Sequence, residues 1–274
     1  MKIDFALLEC LEAVVTEGSF DKAASSLSIT QSAVSQRIRV LEQQIGVPLL
    51  FRSRPVRPTP AAQPLLRFAR QTHLLALEVW PELMDCVEQG RVRIAVNADS
   101  LGSWVLPALS GWRDEHPVML EFVVDDQEHT QTWLRNGEVV GAIGSAQTPS
   151  RGLRAVPLGV MPYRCVASPA FVARYLPQGL DRTAVHHAPA LVFNRRDALH
   201  AEHLCHVLGL KKIQFPHHFI PAYEAFFSAA LLGYGYGLLP EAQCADALAR
   251  GELVDLTPGV PVDVPLYWHT WPLD

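Results

Sequence analysis

Residues 19–46 have the sequence SFDKAASSLSITQSAVSQRIRVLEQQIG, and this stretch decides the fold of the first part of the chain. Ser19 can cap one helix, and after a short break Thr30 can cap a second helix that ends at Gly46. The second helix has an apolar stripe at helical spacing, made of Val34, Ile38, Leu41 and Ile45. Apolar residues between Phe5 and Val15 predict an earlier helix that Gly18 ends. The stretch therefore predicts two helices joined by a tight turn, a helix-turn-helix.

The opposite face of the second helix carries hydroxyls, amides and one cation. These residues are Gln31, Ser32, Ser35, Gln36 and Arg39. A Gln amide can bond adenine at two atoms, Ser adapts to several bases, and Arg bonds guanine or phosphate. A solvated face normally mixes Glu with Lys, and this face has almost no acids. The pattern favours a helix that contacts DNA bases over the alternative, a small helical bundle with a solvated polar face.

Positive charge is concentrated in this region although the chain is acidic. The 274 residues contain 23 Lys and Arg against 28 Asp and Glu, a net charge of −5. From Lys22 to Leu77 eight basic residues and one acid give +7, so the rest of the chain carries −12. The segment VPLLFRSRPVRPT at 47–59 predicts a short β-hairpin, or wing, that holds three arginines against DNA phosphates. The predicted DNA-binding residues are Thr30, Gln31, Ser32, Ser35, Gln36, Arg37, Arg39, Arg52, Arg57 and Thr59.

The segment AASSLSITQSAVSQRIRVLEQQIGVPLLFR at 23–52, followed by RPT, resembles the N-terminal signature of the LysR-type transcriptional regulators. The later segments AVNADSLGSWVLPAL, LRNGEVVGAI, YEAF and GELVDLTPG resemble the branch of that family that responds to arginine or lysine and controls amino-acid export. The resemblance implies an α/β protein with an N-terminal winged helix-turn-helix, a long linker helix, and a two-lobed effector domain similar to type 2 periplasmic binding proteins. We expect double-stranded DNA, a basic amino acid and further copies of the chain, in a dimer or tetramer, as partners, with RNA polymerase as a further candidate, and we expect no cofactor.

We expect four regions along the chain: a DNA-binding domain at 1–59, a linker helix at 60–90, a first effector lobe at 91–161 plus 264–274, and a second lobe at 162–263. Thr59 and Pro60 are typical of a helix start. The apolar residues that follow alternate at spacings of four and three, which predicts a dimer seam. The seam residues are Leu66, Ala69, His73, Ala76, Trp80 and Leu83. The same spacing also suits one helix packed on its own core, and Pro81 predicts a bend near Trp80.

From Arg91 onward strands and helices alternate, which predicts a parallel sheet with a ligand site beyond the carboxyl ends of its strands. Chain crossings near Met161 and Val264 would create a cleft between two lobes. Ser100 lies near a predicted helix N-terminus, which suits a carboxylate, and several acids could meet a cation. The predicted effector-binding residues are Asn97, Asp99, Ser100, Asp125, Asp126, Ser145, Asn194, Asp197 and Glu224. The alternative for each acid is a helix cap or a solvated loop.

Other functions have weaker support in the sequence. His200, His203 and His206 recur every three residues beside Cys205, but residues at that spacing drift around a helix, so we expect no metal site. Nucleotide-binding loops and serine-nucleophile motifs are absent, so we do not expect an enzyme. Scattered cysteines and the lack of a long apolar run favour a cytoplasmic protein away from membranes. A regulator that senses another small acid or a metal ion, or a cleft enzyme tethered to DNA, stays an alternative.

Overall fold

The computed structural model describes residues 4–51, 53–72, 91–115, 118–125, 130–150 and 152–271. Within these ranges the chain forms two compact units. The first contains the described parts of Met1–Ile94, Pro117–Glu121 and Gln131–Ala142, and the second those of Ala95–His116, Phe122–Thr130 and Ile143–Asp274. No helix in the described ranges is long and apolar enough to cross a membrane.

Three helices begin the first unit: α1 (Phe5–Glu17), α2 (Phe20–Ser26) and α3 (Gln31–Ile45). The predicted caps of α3 are confirmed, because the Thr30 hydroxyl accepts the Ala33 N–H at 3.2 Å and Gly46 is left-handed with φ 84°. Ser19 stands at the predicted cap of α2 but makes no side-chain capping bond. The predicted helix-turn-helix is therefore confirmed.

The predicted wing is also confirmed. Strand β1 (Leu50–Phe51) pairs antiparallel with β2 (Arg57–Pro58), with Leu50 opposite Pro58. Directly after β2, Thr59 is buried, and its hydroxyl donates to the carbonyl oxygen of Pro48 at 2.9 Å. This bond connects the two ends of the hairpin.

Residues 63–72 form a helix, α4, that begins later than predicted. Residues 60–62 are a turn, in which the Ala62 N–H donates to the Thr59 carbonyl at 3.0 Å. Leu66 and Ala69 are 1% and 8% exposed and belong to the apolar core of the first unit. Arg70 of α4 pairs with Glu12 of α1 at 3.2 Å.

The seam prediction is therefore wrong for Leu66 and Ala69, which face their own chain. The physical reason is that a dimer seam and a core stripe share the same helical spacing. The other predicted seam residues and the predicted bend lie outside the described residues: His73, Ala76, Trp80 and Leu83.

A seven-stranded sheet is the main β-structure of the described residues. Its strands are β3 (Arg91–Val96), β4 (Met119–Val124), β5 (Gly141–Gly144), β6 (Arg154–Ala167), β9 (Gly237–Pro240), β10 (Val254–Asp255) and β11 (Val262–Thr270). The order is β10-β6-β11-β5-β3-β4, and β9 also pairs with β6. The two residues predicted as chain crossings, Met161 and Val264, lie opposite each other in β6 and β11.

The prediction of a parallel sheet is wrong around β6. This strand pairs antiparallel with β9, β10 and β11, whereas the separate strands β7 (Ala190–Val192) and β8 (His217–Phe219) pair parallel. Strand direction depends on how distant segments return to the sheet, and an apolar run does not encode it.

Helices flank these strands, and several residues of the candidate pocket lie where a helix begins. They are α5 (Ala98–Ser100, a π-helical turn at Leu101–Val105, and Leu106–Glu115), α6 (Thr130–Arg135), α7 (Pro169–Tyr175), α8 (Leu199–Leu208), α9 (Tyr223–Leu231) and α10 (Glu241–Ala249). The core of the second unit is centred on the buried rings of Phe171 and Tyr236, whose centroids are 6.2 Å apart. Helix α10 and strand β10 were not among the predicted elements.

Candidate functional sites

The outward face of α3 presents most of the predicted base-contacting residues. Thr30, Gln31, Ser32, Gln36 and Arg39 are exposed, and Ser35 is half-buried. The apolar stripe of the same helix is buried on the other side. This geometry leaves amides, hydroxyls and a guanidinium available to a DNA groove.

Of the remaining four predicted DNA contacts, one lies on α3 and three belong to the wing segment 47–59. Arg37 is half-buried, and its Nη1 donates to Cys10 Sγ of α1 at 3.6 Å. Its guanidinium is therefore directed toward α1. The prediction for Thr59 is wrong, since its buried hydroxyl is already bonded within the wing. Arg57 is exposed on β2, as a phosphate contact requires, and Arg52 lies outside the described residues.

A pocket in the second unit collects side chains from strand ends and helix starts. Its lining consists of Asn97, Ala98, Asp99, Asp125, Tyr163, Leu191, Phe193, Asp197, Leu199, His200, Tyr223, Phe226, Leu238, Pro240 and Gln243. Four of the predicted effector-binding residues are in this set: Asn97, Asp99, Asp125 and Asp197. The structure therefore brings together three carboxylates that lie up to 98 positions apart in the chain.

Each of these carboxylates is held by a group of the protein. The Tyr163 hydroxyl donates to Asp99 Oδ2 at 2.6 Å. Asp197 accepts the backbone N–H groups of Phe193 at 3.1 Å and Leu199 at 3.0 Å, which fixes it at the start of α8. Asp125 pairs with Arg196 at 3.1 Å. The acids are thus positioned before any ligand arrives.

Two tyrosines beside Asp99 remain protonated hydrogen-bond donors. Burial, reinforced by the charge of Asp99, raises the pKa of Tyr163 well above its ordinary value. Burial, followed by the charge of Asp99, raises the pKa of Tyr223 to about 12. The Tyr223 ring also lies against Gly102, where an added Cβ would be 2.5 Å from the ring. Because Gly102 has no side chain, the Tyr223 ring has room to line the pocket at this position.

The N-terminus of α5 differs from the prediction. The helix begins at Ala98 with Asn97 as its N-cap residue, so Ser100 falls inside the first turn and is fully buried. Ser100 is not part of the described pocket lining, and its buried Oγ has no hydrogen-bond partner among the described residues, so its role as a ligand contact stays a prediction. Asn97 lines the pocket, and its Oδ1 has no hydrogen-bond partner among the described residues. A ligand could supply that partner.

Three further predicted residues do not line the pocket. Ser145 is half-buried, Asn194 uses its Oδ1 to accept the Arg196 N–H at 2.7 Å, and Glu224 is exposed on α9. Successive helical residues point about 100° apart, so the pocket receives Tyr223 and its neighbour Glu224 faces solvent. Asp126 lies outside the described residues.

Five other residues of the lining, four with rings and one amide, were not among the predicted effector-binding residues. Tyr163, Phe193, Tyr223, His200 and Gln243 come from five elements or their connections. Tyr223 carried one signal in the sequence: the branch of the family that the chain resembles more often has a small polar residue at this position. Aromatic residues within apolar segments normally indicate core, so Tyr163 and Phe193 carried no separate signal.

The histidines of α8 do not form a metal centre in the part of the chain that the structure describes. No group of three or more His, Cys, Asp or Glu residues there could hold a metal ion. His203 is buried and bonds Thr257 Oγ1 through Nε2 at 3.2 Å, and His206 is exposed. The regular spacing therefore distributes the histidines over different faces.

Two family models together match most of the chain. Residues 5–63 match the bacterial regulatory helix-turn-helix protein model of the lysR family, and residues 87–271 match the LysR substrate binding domain. The chain belongs to the LysR family and is a transcription regulator with a DNA-binding helix-turn-helix, not an enzyme.

Among individual proteins, the chain is 44% identical to the HTH-type transcriptional regulator ArgP of Aeromonas salmonicida over 274 residues, 99% of this chain and 92% of that one. The crystal structure of ArgP from Mycobacterium tuberculosis is similar with a TM-score of 0.90 and 42% identity, covering 100% of this chain and 92% of that chain. Full-length LysG from Corynebacterium glutamicum with bound effector Arg is similar with a TM-score of 0.79 and 33% identity, covering 99% and 93%. The resemblance inferred from the sequence is confirmed.

Proposed function

We propose that this regulator responds to a basic amino acid, arginine or lysine, bound in the pocket of the second unit, and that it acts in the cytoplasm. The observation that carries the proposal is the convergence of Asp99, Asp125 and Asp197 on one pocket. A cation taken out of water without a partner costs several kcal/mol, so a pocket lined by carboxylates favours a cationic ligand over a neutral one.

The other end of an amino acid also finds a suitable partner. Asn97 and Ala98 line the pocket where α5 begins. The first N–H groups of a helix have no partner within the helix, and its dipole favours negative charge there. We propose that the α-carboxylate of the ligand lies at this helix end. The LysG relative with bound effector Arg supports the same class of ligand.

The proposal for DNA is that α3 contacts base edges and the wing contacts phosphates. The exposed residues for this role are Thr30, Gln31, Ser32, Gln36, Arg39 and Arg57, with Ser35 at the edge of the same face. Ser35 and Gln36 would determine base preference, and Arg57 would contribute charge. We further propose that the functional form is a homo-oligomer, since two half-sites bound together require two copies.

Titration calorimetry with arginine, lysine and norleucine tests the effector proposal. A basic amino acid should bind at least about tenfold more tightly than norleucine, which has similar size and no side-chain charge. Asp99→Asn should weaken binding of the basic amino acid by about tenfold or more, because the amide still accepts from Tyr163 but lacks the charge.

Glu224→Gln is the matched control, since it removes one negative charge outside the pocket lining. The affinity of Glu224→Gln for arginine and lysine should equal that of the wild type. Binding of an acidic or aromatic acid, with no heat from arginine or lysine, would overturn the effector assignment and leave the regulator class intact.

A further inference from the structure

We propose that His200 makes the pocket selective for arginine over lysine, by accepting a hydrogen bond from the guanidinium group of the ligand. The inference rests on the proposed function, because it assigns the ligand class more narrowly within the same pocket. His200 is the first of the three histidines that recur every three residues in α8.

The His200 ring is buried at the wall of the pocket. His200 is 2% exposed and lines the pocket, yet neither Nδ1 nor Nε2 has a hydrogen-bond partner among the described residues. Its ring packs between Phe215, at 5.2 Å between centroids, and Tyr236, at 5.1 Å. Buried polar groups are normally paired, so an unpaired one at a pocket wall indicates a partner that arrives with the ligand.

His203 lies on the same helix and differs from His200 in its hydrogen bonding. His203 is 4% exposed, nearly as buried as His200, but its Nε2 is bonded to Thr257 Oγ1. The packing of α8 is therefore able to satisfy a buried imidazole. The unpaired nitrogens are a feature of the position that faces the pocket.

The surroundings of His200 determine the charge state of its ring. Burial, with smaller contributions from His203 and His217, lowers the pKa of His200 to about 3. The ring is therefore neutral near pH 7 and does not repel a cation. A neutral imidazole has one N–H donor and one nitrogen that accepts.

Arginine and lysine differ in the number of N–H donors that their side chains bring to the acceptors of the pocket. An ammonium group has three N–H donors and a guanidinium has five in a planar fork. Carboxylates of the pocket can serve either cation, but Asp99 already accepts from Tyr163 and Asp125 from Arg196. His200 and the Oδ1 of Asn97 are additional neutral acceptors in the same lining. The extra donors of a guanidinium can use them, whereas an ammonium has fewer donors to offer.

Calorimetry with arginine and lysine on three proteins tests this assignment. The wild type should bind arginine about tenfold more tightly than lysine, the factor expected for one hydrogen bond to a charged donor. His200→Leu should lose this preference, with arginine affinity falling about tenfold and lysine affinity changing less than about threefold. His200→Gln keeps an acceptor and should retain part of the preference.

His203→Gln is the matched control, because it changes a buried histidine of the same helix outside the pocket lining. It should lower the melting temperature and leave the ratio of the two affinities unchanged. If His200→Leu weakens both ligands equally, His200 contacts their common part and the selectivity assignment is overturned. A wild type that binds neither amino acid would instead contradict the proposed function.

A measurement on the wild type covers the case in which His200→Leu does not fold. The ¹⁵N resonance of the accepting ring nitrogen of His200, assigned by its loss in His200→Gln, should shift when arginine is added. The shift with saturating lysine should be clearly smaller. Equal shifts with both ligands would overturn the proposal.

Discussion

Replacing Leu66 by Ala tests whether α4 belongs to the core of the first unit. Leu66 is 1% exposed and lies in one apolar cluster with Leu8, Leu11 and Ala69. Leu→Ala at a fully buried site removes transferred apolar surface and leaves a cavity, which together cost about 2–5 kcal/mol. Unfolding free energies of whole domains are about 5–15 kcal/mol, so the loss should be large.

Urea unfolding followed by circular dichroism measures the change, and light scattering measures the mass of the particle. Leu66→Ala should lower the unfolding free energy of the first unit by about 3 kcal/mol without changing the mass. Leu65→Ala is the matched control, because Leu65 precedes it on the same helix and is only half-buried. It should cost less than half as much.

Dissociation of the particle without a loss of unfolding free energy would refute the assignment of Leu66 to the core. If Leu66→Ala produced monomers whose unfolding free energy equalled that of the wild type, Leu66 would contact a second copy. Leu66 would then lie in a dimer seam, and its assignment to the core of its own chain would be wrong.

Two further predictions concern DNA and pH. Gln36→Ala should weaken binding at the preferred site by about 1–3 kcal/mol, whereas Arg57→Ala should weaken binding to all sequences and reduce the salt slope by about one. Gel shifts at several salt concentrations measure both, with exposed Gln44→Ala as control; an altered base preference in Arg57→Ala alone would reverse the two roles. The lowered pKa of His200 means that the unfolded chain binds more protons than the folded chain between about pH 3 and 6.5, so stability falls as pH falls through that window. Between pH 7 and 5 the wild type should lose about 2 kcal/mol more than His200→Gln in urea unfolding, and equal losses would contradict the assigned pKa.

The local structure of the first unit followed from the sequence. Thr30 and Gly46 bound α3 as predicted, and the wing forms where the apolar and basic residues alternate around Pro55. Caps, left-handed glycines and helical spacing act over a few residues, so the chain encodes them within a short segment. The outward polar face of α3 follows from the same spacing, because the apolar stripe has to be buried.

Contacts between distant segments were decided by the tertiary structure. The spacing around Leu66 suits a seam or a core, and only the position of α4 against α1 shows that it is core. The sheet around β6 is antiparallel because later strands return beside it, which the alternation of strands and helices does not encode.

The pocket, too, was predicted in part from the sequence and decided in part by the tertiary structure. The sequence indicated that Asp99, Asp125 and Asp197 follow strands and could meet, and the structure brings them together. It did not indicate Tyr163 or His200 as pocket residues, because Tyr163 lies in an apolar strand segment and His200 was considered only for metal binding. Ser100 and Glu224 were predicted one position away from residues that do line the pocket, Asp99 and Tyr223. Which side of a helix faces a cavity depends on how the helix is rotated against its neighbours, and packing across the whole unit sets that rotation.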